Sequence, residues 1–229
     1  MRRMLLALAL IAPFAARAEE PPRTRLLLSE SAEITVKQDE LYAQLAVEAR
    51  GASAAAVQQA VNRAMTAALA RAREASAVTV STGGYGVWRA YGSSVPTSQA
   101  WQASQSLTLT AKDSEPLLEL VGVLQAQGLA VKQLAYRVSR ELWRTTREQA
   151  IEEAVRGLQA RAQRMAGLLN LDFERFAKVD LDGGRDRPQP FAAAPMAARA
   201  SSDSAPPVAE AAEVRIGASV SAEAVLKPR

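Results

Sequence analysis

The side chains that most often carry chemistry are sparse in this chain. Its 229 residues include no histidine and no cysteine. That removes the usual zinc and copper ligands, the thiolate nucleophile and the common general base of a serine nucleophile. Carboxylates remain. The run Asp180-Leu181-Asp182-Gly183-Gly184-Arg185-Asp186 sets acids at alternate positions beside glycines, as calcium loops do. Phe191 stands where such a loop needs its bidentate glutamate, and Arg185 adds a positive charge. The plainer reading is a turn leaving a strand. Neither Ser-x-x-Lys nor Gly-x-Ser-x-Gly occurs. Gly83-Gly84-Tyr85-Gly86 lacks the Lys-Ser/Thr ending of a phosphate-cradling loop. Glu148, Glu152 and Glu153 read as a solvated helix face. We therefore expect no catalytic residues, no metal site and no cofactor; a hydrolase working through carboxylates alone has acids but no constellation.

Contact chemistry is better represented. Tyr85, Trp88, Tyr91 and Trp101 fall within seventeen residues, among glycines and serines. Tyrosine and tryptophan bury large area while keeping a polar handle, which suits interfaces. The cluster reads as a subunit or partner contact, or else it folds back over a sheet. A second candidate is the row Arg140, Arg144 and Arg147. A regular helical stripe of Ile151, Ala154, Val155, Leu158, Ala162, Met165 and Leu169, extended backwards, carries these arginines onto the same face. They would face acidic partners or an anionic envelope component if Ser139 caps the helix. If Thr145-Thr146-Arg147-Glu148 is the capping box, the helix starts later.

The elements that must position these residues follow from periodicity. Leu26–Val36 and Leu41–Ala49 alternate as strands around the polar turn Lys37-Gln38-Asp39-Glu40, and read as a hairpin. Ser53 caps a helix carrying Val57, Ala60, Val61, Ala64, Ala68, Leu69 and Ala72 at helical spacing. A strand at 77–82 leads to a long loop, 83–100, and to a clearly alternating strand, 101–110. Ser114 caps a short helix with Pro116 in its first turn and Leu117, Leu120, Val121 and Leu124 inward; Gly128 stops it. A strand near 134–138, the long helix ending near Asn170, a strand at 176–181 and a closing strand from Val214 to Val220 complete the order. This predicts an α+β fold, an antiparallel sheet built from ββα units with helices packed on one face.

Residues 1–18 have a charged start, an apolar run and the small-x-small sequence Ala16-Arg17-Ala18. We expect a cleaved signal peptide, a flexible leader at 19–25 and one domain over 26–229. That domain is interrupted by a Gly-, Pro-, Ala- and Ser-rich stretch at about 182–212 expected to be disordered. Loss of 1–18 removes Arg2, Arg3 and Arg17 and no acid, so the formal charge falls from +4 to +1, with 25 basic and 24 acidic side chains left. Binding to nucleic acid loses its electrostatic support. No second apolar run approaches the ~20 residues of a membrane helix. The expected location is the periplasm, without disulfides.

Distributed segments of the chain resemble the SIMPL domain family, exported bacterial proteins long catalogued as of unknown function. LLLSESAEITVKQDELYAQLAVEARGASAAAVQQAVNRAM resembles the family's first hairpin and helix, and STGGYGVWRAYG its Thr-then-aromatic segment. WQASQSLTLTAKD resembles its central strand, TREQAIEEAVRGLQARAQRMAGLLNL its long helix and AEVRIGASVSAEAVL its closing strand. Ser29-Glu30-Ser31-Ala32 replaces the glycines common in the first strand, and Gln38 a frequent proline. The resemblance implies a non-enzymatic exported protein linked to the outer envelope and to oxidative-stress tolerance, and a homo-oligomer. It supplies no catalytic residues. Lacking a thiol, this chain could protect only indirectly. A periplasmic carrier with a small-ligand pocket between sheet and helices is the alternative.

Overall fold

A computed structural model describes residues 23–90, 96, 100–181, 189–190 and 210–229. These form two antiparallel sheets with three helices, an α+β fold. The chain builds them as two units. The first is contiguous: β2 (Glu40–Gly51), α1 (Ala54–Glu74), β3 (Thr79–Arg89), β4 (Trp101–Ala111), α2 (Ser114–Ala126) and β5 (Ala130–Arg137), with strand order β3-β4-β2-β5. The second joins the two ends of the domain: β1 (Thr24–Lys37), α3 (Arg140–Leu168), β6 (Leu171–Leu181), β7 (Gln189–Pro190) and β8 (Glu213–Pro228).

In the contiguous unit the strands bury alternate residues. Leu41, Ala43, Leu45 and Val47 of β2 and Ala103, Leu107, Leu109 and Ala111 of β4 share one face. Both helices cover that face, α1 through Val57, Val61, Met65, Ala68 and Ala72, α2 through Leu117, Leu120, Val121 and Leu124. The Ser53 hydroxyl accepts from Ala56 N–H at 3.3 Å and starts α1 as expected. The cap of α2 is Asp113, not Ser114: its Oδ1 accepts from Glu115 N–H at 3.2 Å. Gly128 ends α2 with φ +92°, a left-handed conformation costly to any side chain. Gly128 N–H bonds to Gln125 C=O and Leu129 N–H to Leu124 C=O, which satisfies the last carbonyls.

Three expectations need correction. Firstly, β1 and β2 do not form a hairpin. β1 pairs with β8, from Thr24↔Leu226 to Lys37↔Glu213 without a shift. Alternation says which face of a strand is buried, not which strand lies beside it. Arg25, placed in the leader by sequence, is in β1 and pairs with Glu223 at 2.7 Å. Secondly, β3 runs on through Gly83–Trp88, which glycine content marks as loop. The pairing with β4 shifts between Thr82 and Tyr85, so Gly83-Gly84 sit in a bulge; a Cβ at Gly83 would collide with Ser106 Oγ.

Thirdly, α3 buries a different line. Thr146, Ala150, Ala154, Leu158, Ala162 and Ala166 recur at every fourth residue and face β1, β8 and β6. Of the expected stripe, Ala154, Leu158 and Ala162 lie on this line, Ile151 and Met165 are half-buried, and Val155 and Leu169 are exposed. A strict spacing of four advances about 40° per step on a helix of 3.6 residues per turn. The contact line therefore winds around α3 as the helix crosses a twisted sheet. Alanines on this line let the helix lie close. Gly157 extends this: a Cβ there would lie 3.0 Å from Glu30 Cγ, and Arg161 beyond it pairs with Glu30 at 3.0 Å.

Gln189–Pro190 pairs with Arg215 and Val214, so the stretch expected to be disordered includes a short strand. Otherwise residues 182–209 lie outside the described residues, as do the expected signal peptide and residues 19–22 of the leader.

The winding line has a direct test. Ala154→Leu should destabilise by about 1–3 kcal/mol through overpacking, while Val155→Ala should change stability by less than about 0.5 kcal/mol, as exposed sites do. Urea denaturation followed by circular dichroism distinguishes these outcomes from the regular stripe, which demands a large loss at Val155.

Candidate functional site

The chain passes between the two units twice, at Gln38-Asp39 after β1 and at Val138-Ser139 before α3. The two crossings are bonded side by side. Asp39 N–H donates to Arg137 C=O at 3.2 Å. The Asp39 carboxylate accepts from Ser139 N–H and from Ser139 Oγ–H, each at 2.7 Å. Ser139 Oγ in turn accepts from Leu142 N–H at 3.2 Å, so one buried hydroxyl is used as donor and as helix cap. The sequence alternatives for the start of α3 are thereby decided for Ser139. The carboxylate also sits at the positive end of α3. Gln38 completes the junction with two bonds of 3.0 Å to the Ala212 backbone. Lys112, at the end of β4, reaches Glu141 in the first turn of α3 at 3.1 Å. That hydrogen bond, with the charge of Glu141, raises the Lys112 pKa. The contribution is therefore present below the ordinary lysine range and is lost as pH rises through the raised value. The pair is fully exposed to salt.

Next to this junction lies a cleft of about 480 Å³ lined by Arg137, Val138, Arg140 and Trp143. Arg137 closes the end of β5; its Nε donates to Glu40 at 2.6 Å and its guanidinium lies 4.7 Å from the centre of the Tyr42 ring. Arg140 and Arg144 are exposed on the first turns of α3. Arg147 is half-buried, 5.6 Å over the Trp143 ring. Thus the three arginines flagged by sequence do share one side of α3, but the apolar line does not continue through them. The first buried residue within α3 is Thr146. Trp143 and Arg137 went unnoticed in the sequence, and Asp39 was read there only as part of a polar turn. A Trp four residues before an Arg on one helix was the available signal for the stacked pair.

The aromatic cluster is divided. Tyr85 and Val87 lie on the helix-covered face of β3, since Val87 packs on the core, whereas Trp88 lies on the opposite, open face. Tyr85 and Trp88 are 45% and 46% exposed on this edge strand, so neither folds back fully over the sheet. Trp101 starts β4 half-buried against the core, on the face of Tyr85. Tyr91 lies outside the described residues. Of the acidic run, Asp180 belongs to β6, while Asp182, Asp186 and Phe191 lie outside the described residues. Among the described residues no group of three or more acidic side chains could hold a metal ion, and no helix is long and apolar enough to cross a membrane.

Two helix-backed antiparallel sheets, tied at adjacent crossings, one of them holding both the first and the last strand, define the class: an α+β protein whose first and last strands pair. The sequence model of SIMPL, described as a protein of unknown function (DUF541), matches residues 27–224, from β1 to β8. The chain belongs to the SIMPL family. No curated protein matches it significantly.

Removing the junction carboxylate should be costly. Asp39→Ala leaves a buried hydroxyl and a backbone N–H without their acceptor, and should lower stability by about 1–3 kcal/mol. Ser139→Ala should cost about 1 kcal/mol through the cap, and more from the stranded carboxylate. Urea titrations of both variants check this; wild-type midpoints would show that the junction contributes nothing.

Proposed function

We propose that this protein is exported to the periplasm and acts there by contact rather than turnover, assembling with copies of itself and binding envelope partners. The observation that supports this reading is β3. It is an edge strand, so one row of its backbone groups is open to pairing. On that same edge stand Tyr85 and Trp88, both nearly half exposed and on opposite faces. A partner strand laid along β3 would meet an aromatic side chain above and below. The whole sequence lacks cysteine and histidine, which also favours contact over catalysis. Met65 is buried and Met165 half-buried. A link to oxidative stress would therefore run through the envelope or a partner, not through direct scavenging.

The test is the mass of the protein recovered from the periplasm of an expressing Gram-negative host, by light scattering after size exclusion. A discrete mass above that of the monomer is expected, with an amino terminus at Glu19. Trp88→Ala together with Tyr85→Ala should shift the mass downwards while leaving the circular dichroism spectrum unchanged. A monomeric wild-type protein, or an assembly indifferent to both substitutions, would overturn the β3 reading.

A further inference from the structure

We propose that the cleft of Arg137, Val138, Arg140 and Trp143 is a binding site for a phosphate group carried on an apolar or flat body. Four observations converge. The cleft, at about 480 Å³, has the size of a small-ligand site rather than of a bare anion site. Two guanidinium groups line it, and guanidinium forks match the oxygens of phosphate. Arg140 has no hydrogen bond or ion pair among the described residues, nor has Arg144 one turn further along the same side of α3. Of the neighbouring carboxylates, Asp39 is engaged by Ser139, Glu40 by Arg137 and Glu141 by Lys112, while Glu148 stands one turn beyond Arg144. The positive charge at Arg140, which lines the cleft, is thus left to an outside anion.

The fourth observation is Trp143. Its indole Nε1–H is enclosed without an acceptor among the described residues. A buried donor without a partner carries a desolvation cost. Together Trp143 and Val138 form an apolar wall next to the guanidinium groups. Two guanidinium groups in the lining suit a phosphate, which offers more oxygens to their forks than a carboxylate does. The wall suits whatever the phosphate is attached to. Because Arg137 belongs to the contiguous unit and Arg140 and Trp143 to the other, such a ligand would also bridge the junction held by Asp39. This proposal does not depend on assembly through β3.

Calorimetric titration of the exported full chain with phenyl phosphate, and flotation with phosphatidylcholine vesicles with and without phosphatidic acid, tests it. Binding in either arm is expected, weakened about tenfold or more by Arg140→Gln and unchanged by Arg164→Gln, an exposed arginine near the far end of α3, away from both cleft and junction. Phenyl phosphate binding without flotation assigns the site to a soluble phosphate ester; flotation that requires phosphatidic acid assigns it to a lipid headgroup. Arg140→Lys should recover part of the affinity, since charge returns without the fork. Equal loss in Arg140→Gln and Arg164→Gln would overturn the proposal in favour of diffuse charge attraction. So would no binding in either arm, or equal binding of a poly-glutamate peptide.

Discussion

The Asp39 carboxylate holds the two halves of this molecule in register. Its oxygens take both hydrogen-bond donors of Ser139, and the same hydroxyl caps α3. Without that carboxylate two separately packed units would be joined by two short covalent passages, one backbone bond from Asp39 to Arg137 and the exposed Lys112–Glu141 pair. The packed cores do not cross between them: one contains α1, α2 and β2–β5, the others α3 with β1, β6 and β8. Among described elements, extensive packing likewise stays within each unit. The orientation of α3 relative to the contiguous unit therefore rests on polar contacts at the crossings. Charge-assisted bonds at a partly buried site are suited to this, because they are directional and strong where hydrophobic contact is neither.

A second constraint sets how α3 meets its sheet. Alanine at four of the six buried positions, with Gly157 alongside, allows the helix backbone to approach β1 and β8 closely. The apolar area gained per residue is small, so the seam draws its stability from close packing over its length. It also explains why large apolar residues such as Val155 and Leu168 can lie outside the seam. They are not needed to fill it.

Much of the contiguous unit was legible in the sequence because its bulky residues keep one period. In α2, Leu117, Leu120, Val121 and Leu124 are all buried as their spacing implies. The same reasoning failed in α3 for a physical reason. Apart from Leu158, the periodic bulky residues there are not the contact line; alanines make up most of it, and alanine is too common in this helix to mark a face. Pairing was harder still. β1 alternates correctly, yet nothing in its pattern distinguishes β2, its neighbour in sequence, from β8 at the other end. Site residues divided along similar lines. Exposed aromatics and arginines were visible by type. The split of Tyr85 from Trp88 is ordinary strand alternation, hidden because the glycines before them looked like a loop, and the cleft depended on Arg137 arriving from another strand.

The pairing of β1 with β8 has a consequence for how the halves must form. Arg25 and Glu223 are 198 residues apart in the chain and touch. Closing so long a loop costs entropy before any contact rewards it, and contacts this distant form slowly. The unit from β2 to β5 has no such burden, since its strands and helices follow one another and share one core. It can organise while β1 is still unpaired. When β8 arrives, β1 has to meet it in a single register over fourteen residues. The Asp39–Ser139 bonds bring the end of β1 beside the start of α3, and so place β1 near its final position before β8 is added. On this argument the junction reduces the search that the longest-range pairing in the molecule would otherwise require.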